Sequence, residues 1–162
     1  MGETKATQEN LKEEMDRKLI LSRPSRELLE ELALTAAKEQ SPQATFQYAF
    51  ALSKSSEKSE LRYAVTILDG LVREGYEHQV DCIYGAATAL YLLHDYDEAR
   101  ARCEAILRAQ PKSRIAKELH LCCIEAHEQA EKKKMKKAAL TSAAVAGAIG
   151  LAAGVASIFL KK

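Results

Sequence analysis

The sequence has no acidic residue after Glu131, and that absence separates two parts of very different character. Over the whole chain, 24 Lys and Arg nearly balance 23 Asp and Glu, giving a formal net charge of +1. That balance argues against a chain that neutralises nucleic-acid phosphates by bulk charge, and against an acidic disordered tail. Split at residue 131, it becomes −6 for residues 1–131 and +7 for residues 132–162. Asymmetry of this kind points to a membrane or nucleic-acid role confined to one segment.

Other signals are scarce or missing. There are only three prolines, no Asn-Gly turn and no convincing period-2 alternation, which removes the usual marks of a β protein. The four cysteines form no C-x-x-C pair and belong to a part expected to face the cytosol, so no disulfide is expected. No P-loop, glycine-rich phosphate loop or nucleophile elbow occurs, and the expectation is no catalysis, no cofactor and no small-molecule substrate. Residues 1–10 are polar and lack the apolar core of a secretory signal.

What is present begins most clearly near the C-terminus. The basic collar of residues 132–137 carries Lys132, Lys133, Lys134, Lys136 and Lys137; then 23 uncharged residues run from Ala138 to Leu160, and Lys161 and Lys162 follow. As a helix, that stretch would reach about 34 Å, enough for a bilayer core of about 30 Å. Thr141, Ser142 and Ser157 can return hydrogen bonds to the helix's own carbonyls. Nine Ala and three Gly dilute eight strongly apolar residues, whose summed insertion preference is about −2.5 to −5 kcal/mol. The expectation is a single-pass C-terminal anchor of modest hydrophobicity, with the bulk of the chain in the cytosol beside its lysine collar. Each collar lysine would attract anionic headgroups by roughly 1 kcal/mol. A nucleic-acid role loses its footing, because this only basic cluster abuts the span. Ala146, Gly150 and Gly154 form a small-residue stripe on which two spans could pack into a homo-oligomer.

Residues 6–136 read as helices separated by caps. Ser25 precedes an amphipathic run, Ser41-Pro42 sets an N-cap before proline at the first helical position, and Gly75, His94-Asp95 and Pro111 mark ends. Shifted by 35 residues the chain matches itself: Ala64, Leu68 and Leu71 fall on Ala99, Cys103 and Ile106. Tyr48-Ala49 falls on Ala86-Ala87 at an offset of 38. Ala87, Leu90, Tyr96, Ala99, Cys103 and Pro111 follow tetratricopeptide spacing in the second unit, and Ala49, Ala64 and Leu68 hold packing positions in the first. Two such helix pairs cannot close a core alone, so helices near 26–39 and 114–131 are expected to cap them. The expected fold is all-α: a six-helix bundle over 25–131 with two tetratricopeptide-like pairs, an extra helical arm in 1–24, and the C-terminal transmembrane helix.

Helix-pair repeats bind peptides or partner helices in the groove lined by the first helix of each pair. The face away from the small crossing residues offers Phe46 and Phe50, then Asp81, Tyr84, Thr88 and Tyr91. Phe46, Phe50 and Tyr84 read equally as groove anchors or as core; Thr88 and Tyr91 lie farther round the helix, where exposure is expected. No Lys/Asn set suited to clamping a terminal carboxylate lines the groove, which weighs against a co-chaperone.

A bundle of this kind, followed by a basic collar, a Gly/Ala-rich span and a short Lys tail, resembles the mitochondrial fission 1 protein family. The stretches Phe46-Gln47-Tyr48-Ala49-Phe50, Asp95-Tyr96-Asp97-Glu98-Ala99 and Pro111 through Leu119 carry the resemblance, which covers roughly residues 26–162. It implies an outer-membrane receptor of mitochondria, and often of peroxisomes. Such a receptor recruits a dynamin-like GTPase directly or through an adaptor protein, with an N-terminal arm that can gate the groove. Leu11, Met15 and Leu19 sit at helical spacing and suit that arm, although a solvated helix of no consequence fits them equally. Another tail-anchored repeat adaptor, for import or chaperone docking, is the alternative; a membrane fusion rod is not, since Gly75 and Pro111 break any continuous heptad. His120, Cys123 and His127 share one helical face that a metal could use. In the family register Leu119, Cys122, Cys123 and Ala126 are packing positions, and no metal is expected.

Overall fold

The computed structural model describes the backbone of residues 4–159 and the side chains of residues 4–147. Seven helices account for nearly all of it: α1 Lys5–Leu21, α2 Arg26–Glu39, α3 Pro42–Leu52, α4 Lys58–Arg73, α5 Gln79–Leu92, α6 Tyr96–Ala109 and α7 Arg114–Phe159. No strand occurs among the described residues, and the fold is all-α.

Local chemistry sets the boundaries. Ser25 and Ser41 adopt extended backbone and accept from the amides of Leu28 and Ala44, both at 3.1 Å, satisfying donors that the first helical turn leaves orphaned. Pro42 follows at the first helical position, where a missing amide costs nothing. The end of α4 turns through Gly75 at φ +79°, so that Tyr76 donates back to the Leu71 carbonyl. At the end of α5 the same turn is made by His94 at φ 64°, with Asp95 donating to Leu90. The two repeat units therefore use one backbone device with different residues.

The chain divides into two compact units, with the boundary between His127 and Glu128. In the first, α2 packs on α3, α3 on α4, α4 on α5 and α5 on α6, and α3 also reaches α5. Ala49, Ala64, Ala87 and Ala99 lie at the helix crossings with no exposed surface, and Leu52, Leu68, Ile106 and Leu119 are almost completely enclosed. Each of these larger side chains contributes about 1.5–3 kcal/mol of burial. Between α4 and α6, Arg102 holds both oxygens of Asp69 and also bonds Glu98 at 3.1 Å, tying the repeats across 33 residues of sequence. Between α2 and α4, Arg26 grips Glu60 at 2.6 and 3.1 Å.

In the second unit, Lys132–Lys137 are exposed on α7, Lys134 bonds Glu131 at 3.1 Å, and Thr141 donates to the Lys137 carbonyl at 2.9 Å. Among the described residues no helix is long and apolar enough to cross a membrane. The predicted span 138–160 is described with side chains only as far as Gly147; Gly150, Gly154, Lys161 and Lys162 lie outside the described side chains.

Candidate partner-docking groove

The helices α3 and α5, the first members of the two repeat pairs, supply the groove residues. Phe46 and Phe50 stand one helical turn apart on α3 with ring centroids 5.3 Å apart, and both are half-buried. Phe46 also meets Tyr76 at 5.6 Å and His78 at 6.4 Å. The Phe50 ring lies against α5 because Gly85 has no side chain: a Cβ there would stand 2.9 Å from Leu68 Cδ1 and 3.0 Å from Phe50 Cδ2. Asp81 is exposed at the start of α5, and Tyr84 is half-buried, with burial raising its phenol pKa.

Thr88 and Tyr91 depart from expectation. They are only 3% and 4% exposed. For Tyr91 the reason is α1, which folds back over this end of α5 and the adjoining face of α7, while the Thr88 hydroxyl donates to the Tyr84 carbonyl of its own helix at 2.9 Å. Leu11, Met15 and Leu19 point inward and share one cluster with Tyr91, Cys122, Cys123 and Ala126. The Tyr91 hydroxyl donates to Asp16 at 2.6 Å, and Lys12 bonds the other Asp16 oxygen at 2.7 Å. Burial first, and the Asp16 hydrogen bond second, push the Tyr91 phenol well above its ordinary pKa. At the start of the arm, Lys5 pairs with Glu125, which is 1% exposed on α7. A buried carboxylate demands a cation, and the arm delivers one.

The groove is thus divided. At the α5 end the arm leaves a cleft of about 300 Å³ between itself, Tyr91, His94 and Tyr96. At the α3 end a wider cleft of about 490 Å³ stays open, floored by Phe46 and Phe50, flanked by Leu28 and Leu32 of α2, and closed on one side by the linker Ser22–Ser25. Two cations reach it: Arg23 from the linker, and Lys54, whose ammonium lies 5.1 Å from the Phe50 ring centroid.

His120 and His127, which share the helical face that a metal could use, have other partners. His120 bonds Glu104 at 3.2 Å and His127 lies 3.4 Å from Asp97, each joining α7 to α6. Cys123 is buried, and its hydrogen bond with Cys103, followed by burial, raises its thiol pKa strongly; burial pushes Cys122 up to about 12. No group of three or more metal-donor side chains assembles among the described residues.

Several residues that shape the clefts and seat the arm are not prominent in the sequence. Asp16, Arg23 and Lys54 read as ordinary surface charges. Glu125 left a clue, since it falls within the turn Leu119-Cys122-Cys123-Ala126 that α7 buries, and an acid there requires a partner. Gly85 sits in mid-helix beside Ala86-Ala87, where only a close approach would justify it.

No protein-family model matches the chain. Among known proteins it is similar to the mitochondrial fission 1 protein of Homo sapiens, with 32% identity over 114 residues, covering 70% of this chain and 68% of that protein. The crystal structure of the fission protein Fis1 from Saccharomyces cerevisiae superposes with a TM-score of 0.64 at 20% identity, covering 72% of this chain and 95% of that one. Yeast Fis1 in complex with an Mdv1 fragment, which contains an N-terminal extension and coiled-coil domains, gives a TM-score of 0.59 at 21% identity over 68% of this chain and 88% of that one. At such identity the two structures establish likeness of fold.

Proposed function

The chain belongs to the mitochondrial fission 1 protein family, and from that premise we propose that it is a membrane-anchored adaptor recruiting fission machinery through the divided groove. The observation that carries this reading is the open cleft over Phe46 and Phe50, an apolar recess of about 490 Å³ on the face that helix-pair repeats use for partners. The complex of the yeast structural neighbour with an Mdv1 fragment supports an adaptor of that class as the direct ligand. A dynamin-like GTPase then assembles on the adaptor or on the groove itself. The role is one of positioning, with no reaction performed by the chain.

The arm supplies the gate. With α1 in place, Tyr91 is inaccessible and a partner meets the α3 end; release of α1 exposes the α5 end. Residues 138–160 anchor the protein in the outer mitochondrial membrane, with residues 1–131 on the cytosolic side and Lys132–Lys137 beside the headgroups. The same anchor serves peroxisomes. Capture with the tagged full-length chain tests the adaptor role: recovery of a dynamin-like GTPase or a fission adaptor is expected, and recovery of chaperones without either refutes it. Gly150→Lys tests the anchor, because a charge near mid-span costs about 2.5–3.5 kcal/mol, comparable to the whole insertion preference. Release to the cytosol is expected; continued membrane association refutes the span.

A further inference from the structure

The cleft at the α3 end is apolar at its floor and cationic at its rim. Arg23 and Lys54 both line it and have no carboxylate partner among the described residues. Lys54 lies over Phe50 instead, so its charge stands at the edge of the apolar floor. No acidic side chain lines the cleft. Leu28, which also lines the cleft and is 42% exposed, leaves apolar surface uncovered. This contrasts with the chain as a whole, since residues 1–131 carry net negative charge and the cleft is a basic island within it.

We propose that this cleft is specific for an acidic amphipathic segment of a partner protein, with an aliphatic side chain seated on Phe46 and Phe50 and carboxylates meeting Arg23 and Lys54. The inference rests on the docking role proposed above and adds the chemistry of what docks. Apolar contact supplies most of the affinity. The two cations select among segments of equal hydrophobicity and reject basic ones, as charges at an interface rim do.

The test uses the full chain in detergent micelles and three synthetic helical peptides with the same leucine stripe, flanked by Glu, Gln or Lys. Fluorescence anisotropy reads their affinities at low and high salt. Exposed ion pairs contribute modestly, so two should give the Glu peptide about a fivefold to tenfold advantage over the Gln peptide, shrinking in high salt. Arg23→Glu combined with Lys54→Glu should reverse the order and favour the Lys peptide. Leu28→Gln, a surface exchange, should weaken all three alike. Equal affinity of Glu and Gln peptides, an unchanged order in the reversed variant, or no binding by any peptide overturns the proposal. Recruitment in cells is read separately. If the native chain captures fission machinery and the reversed variant captures it equally, the charge selectivity is wrong and the adaptor role stands. If the native chain captures none while the peptide order holds, the cleft chemistry stands and the adaptor role fails.

Discussion

Replacing Leu19 with alanine should open the arm without unfolding the bundle, and the cysteines provide built-in reporters. Leu19 is the one side chain of α1 buried outright, at 7% exposure, and it packs with Cys122 and Cys123. Buried Leu→Ala replacements cost about 2–5 kcal/mol. Leu19 borders the open 300 Å³ cleft, so water can enter the space it vacates, which favours the lower half of that range. A loss of about 2–3 kcal/mol raises the population of released arm about 30- to 150-fold. Burial holds the Cys82 thiol near a pKa of about 11 and Cys122 near about 12, so labelling of the closed state at mildly alkaline pH is slow for both. When closing outruns alkylation, the labelling rate follows the open population. Peptide-resolved alkylation should therefore show Cys122 and Cys123 accelerating by that factor, while Cys82, which belongs to a different cluster under α3 and α4, keeps its rate. Leu68→Ala, in the Cys82 cluster, should accelerate all of them through global unfolding. Parallel acceleration of Cys82 in Leu19→Ala would mean that the arm supports the whole bundle, and unchanged Cys122 and Cys123 would mean that it does not shield them. Either result refutes the reasoning.

The Asp16–Tyr91 bond gives an asymmetric pair of variants. Asp16→Ala strands a buried hydroxyl at a cost of about 1–3 kcal/mol, whereas Tyr91→Phe leaves a carboxylate that is 40% exposed and still paired with Lys12, costing about 1 kcal/mol; hydrogen exchange of α1 should rank them in that order. Because the docked arm raises the Tyr91 phenol above its reference value of 10.0, this contribution is complete below that pH and is lost as pH rises beyond it. A fluorophore on the arm should report release in that alkaline window, and Tyr91→Phe should move the onset upward. Gly85→Ala places a methyl against Leu68 and Phe50 and should lower stability by about 1–3 kcal/mol in a thermal melt, even though alanine is the better helix former.

The repeat was legible because helix pairs need small residues where they cross, and Ala49, Ala64, Ala87 and Ala99 recur at the spacing that need imposes. Serine caps and the terminal prolines were legible for a local reason: each acts within one turn of helix. The groove was legible only as far as one helix face could be followed. Tyr91 lies where an isolated α5 would expose it, and what buries it arrives from 75 residues away, as the Asp16–Tyr91 bond measures. Periodicity in Leu11, Met15 and Leu19 identified an amphipathic helix, and no local rule states which surface such a helix will choose. Glu125 held that information in part, since a carboxylate on a buried face requires a cation, and Lys5 reaches it.

The arm plays opposite roles at the two ends of the groove, and this fixes how ligands couple to it. Its helix covers Tyr91, so any ligand of the α5 end must compete with it. Its linker, Ser22 to Ser25, forms a wall of the α3 cleft and supplies Arg23, so a ligand seated there touches residues that continue directly from the docked end of α1. A ligand shifts an equilibrium by the difference in its affinity for the two states, and the coupling is reciprocal. The leucine-stripe peptide with Glu flanks should therefore slow alkylation of Cys122, which it does not touch, and Leu19→Ala should weaken that peptide's binding. A fragment reaching Tyr91 should do the reverse, speeding Cys122 and gaining affinity in Leu19→Ala. If the Glu peptide accelerates Cys122, the linker is not part of its site and the groove behaves as one surface that the arm simply blocks.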